Sequence, residues 1–205
     1  MRFLDFKAHF EQFHIFSITD IKKWDNKFDF RRLVEWQQKG YINKIINRWY
    51  VFSKSLQQED LLIASNRIYP PSYVSLQWAL SYYHLIPEGV FSITAITSLK
   101  THHFNTSAGA FSYKHVKPRL LFGYRLIEYG GLFYRLAEPE KAILDYLYLN
   151  PSVNTHQDME GLRLKLHEFK KVVDIERLGN YLSLFNNKSL AKRVKLITEK
   201  SASHA

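Results

Sequence analysis

Residues 16–52, FSITDIKKWDNKFDFRRLVEWQQKGYINKIINRWYVF, carry the local signals that decide the fold of the N-terminal part of the chain. Ser17 and Asp20 form the pattern S-x-x-D, a capping box in which each side chain can bond the backbone amide of the other residue. Phe16 and Ile21 flank this box at the two positions of a hydrophobic staple. These residues predict a helix that begins directly after Ser17.

A second helix is predicted to follow closely and to end at a glycine. Asn26 is a good N-cap, and Asp29 would place a negative charge in the first turn, where it complements the helix dipole. Gly40 is the residue type that best tolerates the left-handed conformation at the end of a helix. The segments YINKII and RWYVF then predict two strands with Asn47 between them, because they are rich in β-branched and aromatic residues.

Helix, turn, helix, glycine and hairpin in this order predict a winged helix-turn-helix, a module that commonly binds double-stranded DNA. Ahead of them, Phe3, Phe6, Phe10 and Phe13 recur on one helical face and predict the first helix of the module's core. The same order also fits an ordinary pair of helices followed by a hairpin that binds nothing.

A helical wheel assigns a core side and a solvent side to the second of the two capped helices. Phe30, Leu33, Val34 and Gln37 cluster on the side that is expected to face the core. Arg32 projects almost opposite them, and a guanidinium can bond the O6 and N7 acceptors of guanine together. Arg32 is therefore the predicted base-reading residue.

Arg31, Gln38 and Lys27 are predicted to make phosphate or secondary contacts, which position a protein on DNA but carry little sequence information. Lys44 and Arg48 lie where a wing would touch the backbone or the minor groove. The alternative interpretation is that these charges are solvated surface groups. The complete predicted DNA-binding set is Lys27, Arg31, Arg32, Gln38, Lys39, Lys44 and Arg48.

Composition limits the class of protein. The 205 residues can form one domain or two modest ones, and a net charge of +10 favours an anionic partner, nucleic acid before a membrane surface. The absence of cysteine excludes disulfides and thiolate metal sites and agrees with a cytoplasmic protein. We expect no signal peptide and no membrane span, because no apolar run approaches the ~20 residues that a span needs.

The rest of the chain predicts a mixed α+β domain. The polar stretch SKSLQQED after Phe52 marks the predicted boundary between a DNA-binding domain of residues 1–55 and a second domain of residues 56–205. Ser72 is expected to cap a helix that Pro87 stops. Strand-like runs between residues 90 and 137 then predict an antiparallel sheet.

Within this sheet region, Gly130-Gly131 predicts a tight hairpin because both residues can adopt positive φ. The segment SLKTHHFNTSAG, residues 98–109, is predicted to be a loop, and its adjacent His102 and His103 lack the further ligands that a metal ion needs. Pro139 is a good first residue for the next helix, in which Lys141 and Asp145 form a predicted surface ion pair.

A basic helical tail ends the chain, with one helix capped by Asp174 and another by Ser189. We expect this tail to add sequence-independent affinity for DNA. Catalytic patterns are missing: the sequence has no Gly-rich phosphate loop, no G-x-S-x-G, no H-E-x-x-H and no cysteine nucleophile. We therefore predict no enzymatic activity, no cofactor and no metal site, although an enzyme acting on nucleic acid stays open as an alternative.

Three segments resemble the AbiEi antitoxins of bacterial type IV toxin–antitoxin systems: KGYINKIINRWYVF, PPSYVSLQWALSYYHLIPE and AEPEKAILDYLYL. The likeness runs from about residue 15 to about residue 195. Its most specific parts are residues 72–88 and 137–149, since the N-terminal part alone would match many regulators.

The resemblance implies a cytoplasmic protein whose N-terminal domain binds inverted repeats in its own promoter and represses transcription. The C-terminal domain would counter a nucleotidyltransferase-like AbiEii toxin without forming a stable complex with it, in a system tied to abortive infection by phage. The alternative function is a protein- or RNA-interaction module that uses the winged helix as a scaffold.

Overall fold

The computed structural model describes residues 1–53 and 57–203. The fold is mixed α+β and ends in a helical tail, as the sequence predicts. Its buried apolar side chains form a smaller cluster within the first 53 residues and a larger cluster that spans the rest of the chain. The larger cluster also includes Ile15, Ile45 and Val51, so the N-terminal unit packs against the C-terminal part.

The N-terminal unit contains three helices and a three-stranded antiparallel sheet with the order β1-β3-β2. A single 3-10 turn, Glu11–Phe13, separates the first helix from the first strand. The elements are α1 (Phe3–Phe10), β1 (Ile15–Ser17), α2 (Ile18–Trp24), α3 (Arg31–Gln38), β2 (Ile42–Ile46) and β3 (Trp49–Phe52).

The predicted local signals around α2 and the hairpin are confirmed. The Asp20 amide donates to the Ser17 hydroxyl at 3.1 Å, and the Asp20 carboxylate accepts from the Ser17 amide at 2.8 Å. Gly40 has a φ of +70° just beyond α3. Between β2 and β3 the chain turns at Asn47 and Arg48, and Arg48 takes the positive φ of 71°.

The start of α3 differs from its prediction. Asn26 does not cap this helix, which begins five residues later at Arg31. Phe28 is buried in the N-terminal core, so the preceding segment has to turn inward before the helix can begin. Phe30 occupies the N-cap position of α3 without a side-chain cap. Asp29, which was predicted to lie in the first turn, precedes the helix and accepts a hydrogen bond from the Arg31 amide at 3.1 Å.

The C-terminal part is built on a six-stranded sheet with the order β6-β7-β5-β4-β9-β8. Helices precede, interrupt and follow its strands, and a 3-10 turn, Pro118–Leu120, precedes β8. The elements are α4 (Gln58–Ile68), β4 (Ser72–Val74), α5 (Leu76–Tyr82), β5 (Ile93–Thr97), β6 (His102–Thr106), β7 (Gly109–His115), β8 (Tyr124–Tyr129), β9 (Leu132–Ala137) and α6 (Pro139–Leu149).

This sheet is mixed, whereas the N-terminal sheet is antiparallel throughout. The pairs β4–β5, β6–β7 and β8–β9 are antiparallel, while β5–β7 and β4–β9 are parallel. The β5–β7 pair is parallel because β6 lies between these strands in sequence and pairs with β7 at the edge of the sheet. The predicted turn at Gly130 and Gly131 is confirmed, with φ values of +58° and +77°.

Two local predictions in this region are wrong. Ser72 begins strand β4 instead of capping a helix, because β4 pairs with β5 on one side and with β9 on the other. The helix α5 starts later, after Ser75. The predicted loop of residues 98–109 contains strand β6, whose Phe104 faces Phe111 of β7. In both places pairing with distant strands overrides the weak local signal.

The tail contains α7 (His156–Gly161), α8 (Leu166–Val172), α9 (Ile175–Phe185) and α10 (Lys188–Ser203). Asp174 caps α9 as predicted, accepting from the Arg177 amide at 3.0 Å. The predicted cap at Ser189 is wrong, because Asn187 accepts from the Leu190 amide at 2.9 Å. Within the described ranges, no helix has the length and apolar character needed to cross a membrane.

Candidate nucleic-acid interface

The core face of α3 is rotated relative to the predicted one. Leu33 and Trp36 are each 2% exposed, whereas Val34, which was predicted to face the core, is 55% exposed. The Trp36 indole packs edge-on to Phe3 and at 4.7 Å from Phe6, measured between ring centroids. Burial of this large ring fixes the orientation of the helix.

This rotation changes which side chains point outward. Arg31 and Gln38 are exposed and lie opposite the buried Leu33 and Trp36 on the helix, whereas Arg32 is only partly exposed at the edge of the core face. The prediction that Arg32 projects opposite the core is therefore wrong. The outward position belongs to Arg31, whose side chain is 92% exposed.

Arg31 is held in a defined geometry although it is exposed. Its Nε donates to Asp29 Oδ1 and its terminal nitrogen donates to Asp29 Oδ2, both at 3.0 Å. These hydrogen bonds lower the pKa of Asp29 and raise the pKa of Arg31. Because the guanidinium has five N–H donors, it retains donors for a further acceptor.

The other predicted contact residues are exposed around this helix and hairpin. Lys39 at the end of α3 pairs with Glu35 at 2.6 Å, while Lys27 lies in the turn before the helix. Lys44 on β2 and Arg48 in the hairpin turn are also exposed. The structure thus brings six of the seven predicted residues to the surface of one small unit and leaves Arg32 half-buried.

The N-terminal unit is fastened to the C-terminal part through Arg67 of α4, which sequence reasoning missed. One terminal nitrogen of Arg67 donates to the Ile15 carbonyl at 2.7 Å, and the other donates to Asp20 Oδ2 at 3.1 Å. Its guanidinium also lies over the Trp49 ring at 5.4 Å. Arg67 therefore contacts β1, β3 and the capping box of α2 at once.

A second set of contacts joins the two parts nearby. His14 Nδ1 lies 2.6 Å from Asp60 Oδ1, and the His14 ring packs against Tyr129 at the end of β8. The hairpin also contacts the C-terminal sheet, since the Ser107 hydroxyl donates to the Lys44 carbonyl at 3.2 Å. The position of the hairpin is thus linked to the sheet behind it.

The predicted surface ion pair on α6 is wrong, because Lys141 and Asp145 are both fully buried. The Lys141 ammonium donates to Asp145 Oδ1 and to the Tyr73 hydroxyl. Asp145 Oδ2 accepts from the hydroxyls of Tyr73 and Ser75, each at 2.8 Å. Burial lowers the pKa of Lys141 and raises the pKa of Tyr73.

Aromatic side chains complete the surroundings of this buried pair. The ammonium also lies 4.9 Å from the ring centres of Phe122 and Phe185, so aromatic rings enclose it. A sequence signal existed, since residues 142–144 and Leu147 make α6 apolar on nearly every side, which is typical of a buried helix.

The basic tail is less available for DNA than its sequence indicates. Arg193 is buried and donates to the carbonyls of Leu147 and Asn150, at 2.6 and 3.2 Å. Lys171 and Lys195 each pair with a glutamate of their own helix. The predicted contribution of the tail to DNA affinity therefore depends on fewer positive charges than the sequence alone indicates.

Two features bear on metal binding. His103 bonds to Asn105 at 2.9 Å, and the His102 ring stacks on Tyr69. Among the described residues, no three His, Cys, Asp or Glu side chains group together as metal ligands. Separately, the exposed Arg31, Gln38 and Lys39 give the surface of α3 hydrogen-bond donors and positive charge, which are groups that bind nucleic acid.

No protein-family profile matches this chain. A search of curated protein sequences gives no significant match either.

Proposed function

We propose that this protein is an antitoxin of a type IV toxin–antitoxin system that also binds its own promoter DNA and represses transcription. In this proposal residues 1–53 act as a winged helix-turn-helix, α3 enters the major groove and the β2–β3 hairpin is the wing. The element order α1-β1-α2-α3-β2-β3 and the sheet order β1-β3-β2 agree with such a module.

The observation that carries the DNA-binding proposal is the outward face of α3. Arg31 and Gln38 point away from the core on a helix whose opposite face is closed by Leu33 and Trp36. A major groove admits one α-helix, and side chains on its outward face can then reach base edges. Exposed Lys27, Lys44 and Arg48 flank that helix and supply charge for phosphates.

The antitoxin half of the proposal rests on the resemblance of residues 72–88 and 137–149 to AbiEi proteins. In the structure these residues include α5 and α6, which contact each other, and the Lys141–Asp145 pair lies on α6. Their side chains are largely internal, so they would define the C-terminal fold while exposed residues elsewhere act on the toxin.

DNA binding is tested by fluorescence anisotropy with a labelled duplex from the region upstream of the gene, against a scrambled duplex of equal composition. We expect affinity in the nanomolar range for the natural duplex, with a steep decrease as salt rises, because bound phosphates release counterions. Equal binding to both duplexes, or none to either, would contradict promoter recognition.

Antitoxin activity is tested separately by co-expression with the product of the neighbouring gene. We expect growth to recover while a pull-down recovers no stable complex. The Arg31→Ala variant should still restore growth, since repression and neutralisation are assigned to different parts of the chain. Failure of the wild-type chain to restore growth would contradict the antitoxin assignment and leave DNA binding untouched.

A second candidate function is a protein-interaction module on the same scaffold, and one surface favours it. Phe91 is 98% exposed beside a groove of about 530 Å³ that Trp78 and Tyr82 also line. The Trp78 and Tyr82 rings stack at 5.7 Å. If the neighbouring gene product is captured stably by the wild type and not by Phe91→Ser, while promoter DNA is not bound, this function replaces the first.

A further inference from the structure

Strand β8 is an open edge of the six-stranded sheet. Within residues 1–53 and 57–203 it pairs with β9 on one side, and no strand pairs with its other side. Tyr124, Arg125, Leu126 and Glu128 are all exposed. A free strand edge offers a row of backbone donors and acceptors to another strand.

The open edge also carries apolar side chains on one face. Leu126 is 60% exposed and Phe133 of β9 is 59% exposed. In the β8–β9 register Glu128 faces Phe133 and Leu126 faces Arg135, so Leu126 and Phe133 are diagonal neighbours on the same face. The exposed Tyr124 continues this apolar stripe.

The geometry of the β8–β9 hairpin determines which backbone N–H and C=O groups of β8 point away from β9. Gly130 and Gly131 form a two-residue loop, so Tyr129 and Leu132 exchange hydrogen bonds and the pattern alternates along β8. The backbone groups of Ile127 and Arg125 therefore face β9. Those of Tyr124, Leu126 and Glu128 face outward, which leaves three residues with both a donor and an acceptor free.

From this edge we infer that β8 pairs antiparallel with β8 of a second copy of the chain, about a two-fold axis at Leu126. Leu126 then faces Leu126 of the second copy, and Tyr124 faces Glu128. All the outward donors and acceptors of the three residues are satisfied, in about six hydrogen bonds. No like charges lie directly opposite, and the Tyr124 hydroxyl can donate to the Glu128 carboxylate.

The pairing joins the apolar stripes of the two copies, because a two-fold axis perpendicular to the sheet keeps equivalent faces on the same side. The two Leu126 side chains then meet at the junction, each with Phe133 diagonal to it, while Glu128 and Arg135 lie on the same face between the apolar side chains. A register centred on Ile127 would instead place Leu126 against the charged Glu128. The register centred on Leu126 is therefore the favoured one.

The proposed dimer sets the distance between the two N-terminal units, which matters for DNA binding and so rests on the proposed function. The tip of the β8–β9 hairpin packs against the N-terminal unit, since a Cβ on Gly130 would lie 2.7 Å from His14 Nε2. At roughly 3.4 Å per residue, Gly130 lies about 14 Å from the axis at Leu126. The two Gly130 residues would then lie about 27 Å apart, with the N-terminal units farther from the axis. This separation suits half-sites one DNA turn, or about 34 Å, apart.

Because the chain contains no cysteine, single cysteines report the register directly. Leu126→Cys should cross-link to its own copy on mild oxidation, since facing Cα atoms about 5.5 Å apart suit a disulfide. Glu128→Cys alone and Tyr124→Cys alone should not cross-link, whereas a mixture of the two should. A cross-link of Glu128→Cys to itself, or none with Leu126→Cys, would overturn the register.

The association itself is measured by light scattering on the full chain without DNA. We expect a mass twice that of the 24.3-kDa chain at micromolar concentration, reduced to one chain by Leu126→Asp. Leu184→Asp, on an exposed leucine of α9, is the matched control and should leave the dimer intact. Circular dichroism checks that both variants fold.

A single-chain mass for the wild type at all concentrations would overturn the inference, as would a dimer that Leu126→Asp does not affect. These outcomes are independent of promoter binding, which is measured by anisotropy on the same samples. A dimer without DNA binding would contradict the proposed function alone.

Discussion

Arg67, on the last turn of α4, donates a hydrogen bond to Asp20, the residue that completes the N-terminal cap of α2. The donor belongs to the C-terminal part and the acceptor to the unit that we propose binds DNA. The same carboxylate accepts from the Ser17 amide at 2.8 Å. The capping box of α2 is therefore held in place by a residue of the C-terminal part.

We expect Arg67→Ala to destabilise the protein and to weaken promoter binding, although Arg67 is not predicted to touch DNA. The variant loses charge-assisted hydrogen bonds, each worth about 1.5–3 kcal/mol. Urea unfolding and anisotropy measure the two effects. Arg163→Ala is the control, since Arg163 is exposed and pairs with Glu88 at the surface. Wild-type DNA affinity in Arg67→Ala would show that the cap does not position α3.

Arg31 and Arg32 are predicted to differ in their contribution to promoter binding. Arg31→Ala should lose about 1–3 kcal/mol of binding free energy if that side chain reads a base. Arg32→Ala should lose less, because Arg32 lies at the edge of the core face. Anisotropy titrations with natural and scrambled duplexes compare the two. A larger loss for Arg32→Ala would mean that α3 meets DNA along a different face.

The buried pair on α6 should respond to substitution differently from a surface pair. Lys141→Met leaves Asp145 buried without its cation, which typically costs about 3–5 kcal/mol of the free energy of unfolding. The double variant Lys141→Met/Asp145→Leu should be less destabilised than that, because no unpaired charge remains. Lys195→Met removes an exposed pair of the same spacing on α10 and should cost under about 1 kcal/mol. Urea unfolding of all three distinguishes them, and equal costs would contradict the buried geometry.

The two glycines of the β8–β9 turn provide a matched comparison. Both have positive φ, so alanine at either position should cost about 1–2 kcal/mol through backbone strain. Gly130→Ala should cost more, because its Cβ would collide with the His14 ring, whereas a Cβ on Gly131 meets nothing within 4 Å. Urea unfolding curves give the difference. Equal losses would show that the hairpin tip does not pack tightly on the N-terminal unit.

Stability should decrease as pH rises above about 10. Burial raises the pKa of Tyr83 and of Tyr134 to about 12, from the value of 10.0 that is usual for tyrosine. Between these values the unfolded chain loses tyrosine protons that the folded protein retains, so alkali favours unfolding. Unfolding free energies measured from pH 9 to 12 should decrease less steeply for Tyr83→Phe. An unchanged slope would mean that Tyr83 ionises normally in the fold.

Much of the N-terminal unit could be predicted because its signals are local. The Ser17–Asp20 box, Gly40 and the turn at Asn47 act within a few residues, so the sequence alone places α2, the end of α3 and the hairpin. Gly130-Gly131 and Pro139 work in the same way. The mixed α+β class follows from these signals together with the apolar periodicity.

Only the tertiary structure decided which faces are buried and which distant residues meet. Trp36 rather than Val34 closes the core because Phe3 and Phe6 meet it there. Strands β4 and β6 form because distant strands supply their hydrogen bonds. Lys141 and Asp145 have the i,i+4 spacing that surface ion pairs also have. The pair is shielded from water because the sheet and helices of the C-terminal part surround it. Local chemistry set the start of α2, of α6 and of α9 and the two hairpin turns, whereas burial, which depends on the whole chain, set what each side chain does.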